Sequence, residues 1–427
     1  MKNYLNNERK SIMKKTILSV ASLVLALAML FSLYSCTSVK AEVVDLMENI
    51  TPKAVEGSAV DDNFKKAHAD FSAELFRRSY DGENTLISPL SVALALGMTA
   101  SGAGGETAEQ FCELFGGISP DEMNRYLYSY AAELASDSLN LANSVWMDDR
   151  EDFTVKESFL QGVADYYGAD VYKSKFNSGA VDAVNDWIEE KTDGMIEKML
   201  DELDPDAVML LVNTVLFEAK WLEQYNEYQV RDGEFTTKDG EVKKVNMMHS
   251  DENIYLESDT ATGVMKPYAD GKYAFAAALP KDVANFDEFV NSLDGDAVTE
   301  LLESATYKYV LAAIPEFEYD FGIEMKDILS EMGISDAFNH LKADFTGISD
   351  DAHELHIAIN RVLHKTRIEL TPAGTKAGAA TVVELNKQLA CPDGPETVYL
   401  DRPFVYMIVD TETNLPVFIG AVTDIGE

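Results

Sequence analysis

The chain has 427 residues, enough for one large α/β domain behind a targeting segment or for two or three smaller domains. Hydrophobic residues make up 46% and charged residues 26%, so most of the chain can bury a core, and wholesale disorder is excluded. The formal charge of −39, with no Lys/Arg block standing out against it, repels polyphosphates and argues against a nucleic-acid partner.

Three widely spaced cysteines build neither a disulfide framework nor a four-cysteine zinc site. Met13-Lys14-Lys15, the apolar run Ile17 to Leu33 and then Leu33-Tyr34-Ser35-Cys36 have the order of a secretion signal: positive n-region, hydrophobic h-region, small residues before a cleavage point. Residues 1–35 are therefore expected to be a signal peptide and the protein to be secreted or extracellular. Leu33-Tyr34-Ser35-Cys36 resembles the bacterial lipobox, which implies acylation of Cys36 and anchorage to the cell envelope, each buried CH2 contributing about 0.8 kcal/mol. An ordinarily cleaved signal and an uncleaved membrane helix are the alternatives. Residues 1–35 carry five cations against one carboxylate, which leaves −43 on the rest of the chain. Residues 36–62 show no helical or strand period and contain Pro52 and Gly57, so they are expected to form a flexible tether.

From Asn63 onward there is no second linker, low-complexity block or repeat, which predicts one domain over residues 63–427. Phe64, His68, Phe71, Leu75 and Phe76 recur at helical spacing, and Ser88-Pro89-Leu90-Ser91 opens a second helix with Pro in its first turn. Val184, Trp187, Ile188 and Met195 predict a third helix over Val181 to Ile196, with Gly194 as a stop signal. The almost unbroken apolar run Met209 to Phe217 reads as a central strand covered on both faces, and Leu355 to Leu370 as a long strand. Tyr273–Leu279, Tyr309–Ile314, Phe404–Val409 and Val417–Val422 supply further strands, giving an α+β class.

Six histidines test for an enzyme. His353 and His356 are three apart, not four as a helical zinc motif requires, and on a strand they would point to opposite faces. Nucleophile elbows and phosphate-binding glycine loops are absent, and Ser101-Gly102-Ala103-Gly104-Gly105 follows a helix, as a turn between helices does. Cys112 lies in an amphipathic stretch as a core thiol. No catalytic role, cofactor or metal is implied.

The unusual segment runs from Gly374 to Pro395. One parity holds Thr375, Ala377, Ala379, Thr381, Val383 and Leu385; the other holds Lys376, Gly378, Ala380, Val382, Glu384 and Asn386 and takes all the charge. A period of two with one small-to-apolar face suits a strand, while the Ala and Gly content makes it a poor strand without a host sheet. The segment resembles the hinge and reactive-centre loop of serpins. Asn84 to Ser91, Gly102-Ala103 with Gly105 to Gln110, Asn185-Asp186-Trp187 with Thr192 and Gly194, and Leu211 to Thr214 through Phe217 to Trp221 are similar to successive blocks of that family. Val245 to Met248, Ile314 to Phe317, Met332 to Ile334, Ala343 to Phe345, His364-Lys365, Asp401 to Phe404 and Phe418 to Gly420 extend the resemblance over about residues 61 to 425.

The resemblance implies a serpin fold of three β-sheets and eight or nine helices with an exposed reactive loop. It implies a suicide-substrate inhibitor of a serine protease, monomeric, whose cleaved loop inserts as a new strand of the main sheet. A non-inhibitory serpin acting as a binding or scaffold protein, or an inhibitor of cysteine proteases, is the alternative. Ser88, Ser91, Asn213 and His364 match the family's shutter, the polar cluster beneath the opening sheet, and Trp221 matches the breach, where insertion begins. Gly374, Thr375, Lys376, Ala377, Gly378, Ala379, Ala380 and Thr381 match the hinge, with Thr375 the first side chain to insert. Pro372 and Lys376 stand where inhibitory members often have glutamate, and Pro372 cannot donate a ladder bond, which would slow or shift early insertion. Spacing from Gly374 points to cleavage at Gln388-Leu389, and counting back from Pro403 points to about Pro392. The scissile-bond candidates are Lys387, Gln388, Leu389, Ala390 and Cys391; cleavage after Lys387 suits a trypsin-like target, after Leu389 a chymotrypsin-like one and after Ala390 or Cys391 an elastase- or subtilisin-like one, with small or apolar specificity favoured.

Overall fold

The computed structural model describes residues 42–375 and 394–426, apart from 152, 197, 205, 283 and 284. The expected signal segment with Cys36, the hinge residues from Lys376 to Thr381 and the candidates Lys387 to Cys391 lie outside the described residues.

In chain order the elements are β1 (Val43–Asp45), α1 (Asp62–Ser79), β2 (Thr85–Ile87), α2 (Pro89–Ala100), α3 (Gly105–Leu114), α4 (Pro120–Leu134), β3 (Leu139–Asp148), α5 (Glu157–Tyr166), β4 (Asp170–Ser174) and α6 (Ser178–Lys191). Then come β5 (Met209–Phe217), β6 (Ala219–Lys220), β7 (Val230–Thr236), β8 (Val242–Glu257), β9 (Ala261–Pro267), β10 (Tyr273–Pro280), α7 (Phe286–Ser292), α8 (Gly295–Glu303), β11 (Thr306–Pro315), β12 (Phe317–Glu324) and α9 (Lys326–Leu329). The chain ends with β13 (Ile359–Thr371), β14 (Gly374–Thr375), β15 (Glu396–Tyr399), β16 (Phe404–Asp410) and β17 (Pro416–Val422). None of the described helices is long and apolar enough to cross a membrane.

The two N-terminal helices follow from their caps and stripes. Asp61 accepts from the Phe64 amide at the start of α1, and all five apolar-stripe residues from Phe64 to Phe76 are buried. Ser88 caps α2, Pro89 occupies its first turn, and every residue of this helix is buried, as befits a helix apolar on all sides.

The first sheet runs β1-β4-β3-β5-β13-β14-β6, with β12 on the far side of β13. Strand parity explains why β5 is apolar at every position but Asn213 and Thr214: Leu211 and Val215 face the main core. Leu210 and Val212 face a second cluster in which α6 packs Val184, Trp187 and Ile188 against them, Trp146 and Leu363. The helix stops at Lys191, short of the expected Ile196, because Gly194 takes φ 75° and the chain turns back. Asn185 then clamps the return, its Oδ1 accepting from the amides of Met199 at 3.0 Å and Leu200 at 2.9 Å.

The second sheet runs β15-β11-β8-β9-β10-β16-β17-β2, with β7 paired to β8. The third sheet that the resemblance implies is continuous with this one among the described residues. The 16-residue β8 pairs with β7 through its first half and with β9 through its end, so one strand serves both. Nine α-helices are described, at the upper end of the expected number.

Two expectations need correction. Over residues 42–62 the tether is bound to the domain: β1 adds an antiparallel edge strand to β4, and the Leu46 amide bonds Val171 O at 2.9 Å. The Lys53 amide donates to Asp165 Oδ1 at 2.6 Å and the Ser58 amide to Arg125 O at 3.1 Å. The long strand begins at Ile359, so His353 and His356 lie in the turns before it, where strand parity does not apply. His356 Nδ1 meets His340 O at 3.1 Å while His353 Nε2 is 3.8 Å from Asp344 Oδ1, so the two rings engage different partners.

Candidate functional site at the opening of the first sheet

The ladder between β5 and β13 is parallel, and it runs from Met209 opposite Ile359 to Thr214 opposite Lys365 and stops. Beyond it the two strands diverge. At the top of the divergence β14 fills the space, pairing Thr375 with Leu370 and Gly374 with Thr371 on one side, and Thr375 with Ala219 and Gly374 with Lys220 on the other. Between these rungs no pairing joins Val215–Phe217 to Thr366–Glu369 among the described residues, and this unpaired stretch is the slot.

Below the slot, the registers bring Asn143, Asn213 and His364 into one row across β3, β5 and β13. Asn213 Oδ1 accepts from Ser91 Oγ at 2.6 Å and from His364 Nδ1 at 2.9 Å. Its Nδ2 donates to Ser91 O at 2.7 Å and to Asn143 Oδ1. The Ser88 amide donates to His364 Nε2 at 3.1 Å, which fixes the ring proton on Nδ1, and Ser88 Oγ accepts from the Ser91 amide. His364 is fully buried, and that burial pulls its pKa down to about 3. The cluster is thus neutral and hydrogen-bonded, and separating β5 from β13 breaks the Asn213–His364 bond at its centre.

Above the slot, Trp221 follows β6 and closes the sheet top. Its ring stacks on Tyr268 with centroids 4.6 Å apart and planes 9° apart, and its Nε1 donates to Thr371 O at 2.9 Å. The amides of Trp221 and Tyr225 donate to Ala373 O at 3.1 Å and Pro372 O at 3.0 Å. Pro372 therefore sits in the turn between β13 and β14, where no ladder donor is needed, and its missing N–H leaves no gap. Lys266 lies 4.6 Å from the Tyr225 ring and 5.6 Å from the Trp221 ring and pairs with Glu252 at 2.6 Å. Burial disfavours this ammonium, but the Glu252 carboxylate outweighs it and holds the Lys266 pKa above its ordinary value.

The structure thus joins Ser88, Ser91, Asn213 and His364 in one cluster and places Trp221, Gly374 and Thr375 together at the sheet top. Sequence reasoning missed Asn143, Tyr268, Lys266 and Glu252. Asn143 carried a signal: it is the polar member of a core-facing row with Leu141 and Val145. Among the described residues no group of three or more His, Cys, Asp or Glu side chains is arranged to hold a metal ion.

The model of the serpin (serine protease inhibitor) family matches residues 66–425, and the chain belongs to that family. An uncharacterised serpin-like protein of Thermococcus kodakarensis is 28% identical over 361 residues, spanning 82% of this chain and 83% of the relative. Alpha-1-antiproteinase of Rattus norvegicus is 29% identical over 373 residues, spanning 83% and 88%. Among solved structures, the thermophilic serpin tengpin in its native state superposes with a TM-score of 0.84 at 41% identity, covering 91% of this chain and all of tengpin. Tengpin in its latent state gives 0.76 at 40% identity, covering 87% of this chain and all of that one.

Proposed function

We propose that the protein is a suicide-substrate inhibitor of a serine protease. The observation that carries this reading is the slot between β5 and β13, closed below by one direct ladder and occupied above by the first two residues of the loop. In the proposed reaction the protease serine attacks the scissile carbonyl, the peptide C–N bond breaks, and the new amine leaves with the C-terminal fragment. The acyl-enzyme that remains is an ester to the loop. The freed loop then extends β14 downward through the slot, its Thr375 parity facing the main core, and draws the protease to the far end of the sheet before water hydrolyses the ester. Each new ladder bond contributes roughly 0.5–1.5 kcal/mol, and the burial of small side chains adds to it. The target is of the trypsin, chymotrypsin, elastase or subtilisin type, and the chain is exported, with Cys36 as its lipid attachment point.

The test is to mix residues 37–427 with trypsin, chymotrypsin and pancreatic elastase separately and run denaturing gels with mass spectrometry of the released peptide. A stable high-mass band is expected, and the peptide mass fixes the scissile bond among Lys387 to Cys391. Clean cleavage by all three with no such band would favour a non-inhibitory serpin. Thr375→Arg places a cation beside Tyr268 where the hinge side chain is buried, and is expected to turn the inhibitor into a substrate.

A further inference from the structure

The first two hinge residues, Gly374 and Thr375, are already inside the sheet before any cleavage. Thr375 is 2% exposed, and its Oγ1 shares a hydrogen bond of 2.6 Å with the hydroxyl of Tyr268, itself fully buried. Three contacts fix the tyrosine from other directions. Its ring lies flat on Trp221, meets the edge of Phe217 with centroids 5.1 Å apart, and its backbone bridges to that of Trp221. Gly374, at φ 154°, leaves no room for a side chain, since a Cβ there would come within 2.0 Å of Ala219 O. The backbone is therefore shaped to deliver Thr375 to this one phenol. Burial raises the Tyr268 pKa far above its ordinary value, so the hydroxyl keeps its proton and the bond does not titrate near neutral pH.

We infer that Tyr268 is a positioning residue for the loop: through its bond to Thr375 it latches the hinge between β13 and β6 in the uncleaved chain. The latch sets how far the loop stands out for a protease and fixes the register from which insertion proceeds. Its part in trapping rests on the inhibitor reading; the latch itself belongs to the uncleaved protein and can be measured without a protease. A tyrosine with only a packing role would act through its ring, whereas the latch acts through its hydroxyl, and the two are separable by Tyr268→Phe.

The experiment is hydrogen exchange, read by mass spectrometry on the peptide that covers Gly374 and Thr375, in the wild type, Tyr268→Phe, Thr375→Val, the double variant and Thr375→Ser. Loss of one buried hydrogen bond is expected to speed exchange about three- to tenfold in each of the first two variants. The double variant should be no faster than either single one, and Thr375→Ser, which keeps a hydroxyl, should exchange like the wild type. Unchanged exchange in Tyr268→Phe, or effects that multiply in the double variant, would overturn the latch. Should Thr375→Val disturb folding, the comparison of Tyr268→Phe with Thr375→Ser still decides. With a trapped protease, Tyr268→Phe is expected to associate several-fold faster. Absence of trapping by every variant would count against the inhibitor reading and leave the exchange result standing.

Discussion

Two histidines are buried without a charge partner, and they make the fold sensitive to acid. His68 packs against Phe64 and Tyr130 with ring centroids 5.7 and 5.8 Å away, and its Nε2 has no hydrogen-bond partner. Burial lowers its pKa from 6.5 to about 4, and that of His364 from 6.5 to about 3. Below pH 6.5 the unfolded chain takes up these protons while the folded chain does not. Their contribution is therefore complete above 6.5 and is lost as the pH falls toward 4 and 3. Each group withdraws up to about 1.4 kcal/mol per pH unit, or about 2 kcal/mol between pH 6.5 and 5. His68→Phe removes one of the two and suits the aromatic surroundings, so its stability loss between pH 7 and 5 should be about 2 kcal/mol smaller than the wild type's in urea titrations. Equal losses would place the acid sensitivity elsewhere. The chemistry of His364 was legible only through family resemblance. The pairing of Asn213 with Asn143 and of Thr375 with Tyr268 was not legible at all, because Asn143 and Tyr268 stand 70 and 107 residues away. No local spacing links such residues; only the register of the sheets does.

Among the elements, the long ones announced themselves. The stripe of α1, the nearly all-apolar β5 and the capped start of α2 were readable because each spans enough residues for a pattern to show. Strand β1 is three residues long, too short for alternation to register, and the segment around it read as a tether for that reason. Pairing rescues it: its amides and carbonyls meet the exposed edge of β4, and Leu46, Met47 and Ile50 pack against the main core. The same segment is tied to α4 and α5 through Arg125 and Asp165, so it bridges a strand of the first sheet and the helices behind it. A chain beginning at Thr51 loses that strand and those apolar contacts. Its melting temperature should fall by a few degrees, with faster hydrogen exchange confined to β4 and its neighbour β3. A chain that melted unchanged would mean that the segment lies on the fold without supporting it.

For the whole molecule, the proposed mechanism sets two arrangements of one chain in competition. In the one described here β5 and β13 pair directly below the slot; in the other a strand of the loop separates them and pairs with both. While the peptide is intact, the loop is held at Thr375 in β14 and at Glu396 in β15, on two different sheets, so insertion cannot run past the length of chain between them. Cleavage removes the second restraint. Net charge does not bias the comparison, since both forms carry the same charged side chains. What differs is the ladder: the six β5–β13 rungs from Met209 to Thr214 are exchanged for two ladders along the inserted strand. A net gain on the order of 5–10 kcal/mol follows from the surplus bonds, and in a domain of about 360 residues this raises the melting midpoint by roughly 7–13 °C. Thermal melts of the intact chain and of the chain cut once within residues 387–391, with both fragments present, should show that rise. Thr375→Arg cut in the same way should show little of it, because a charge at the buried position from which insertion proceeds displaces the start of the inserted strand from the sheet. Equal midpoints for intact and cut wild type would mean that the slot does not accept the loop, and the trapping reaction would lose its driving force.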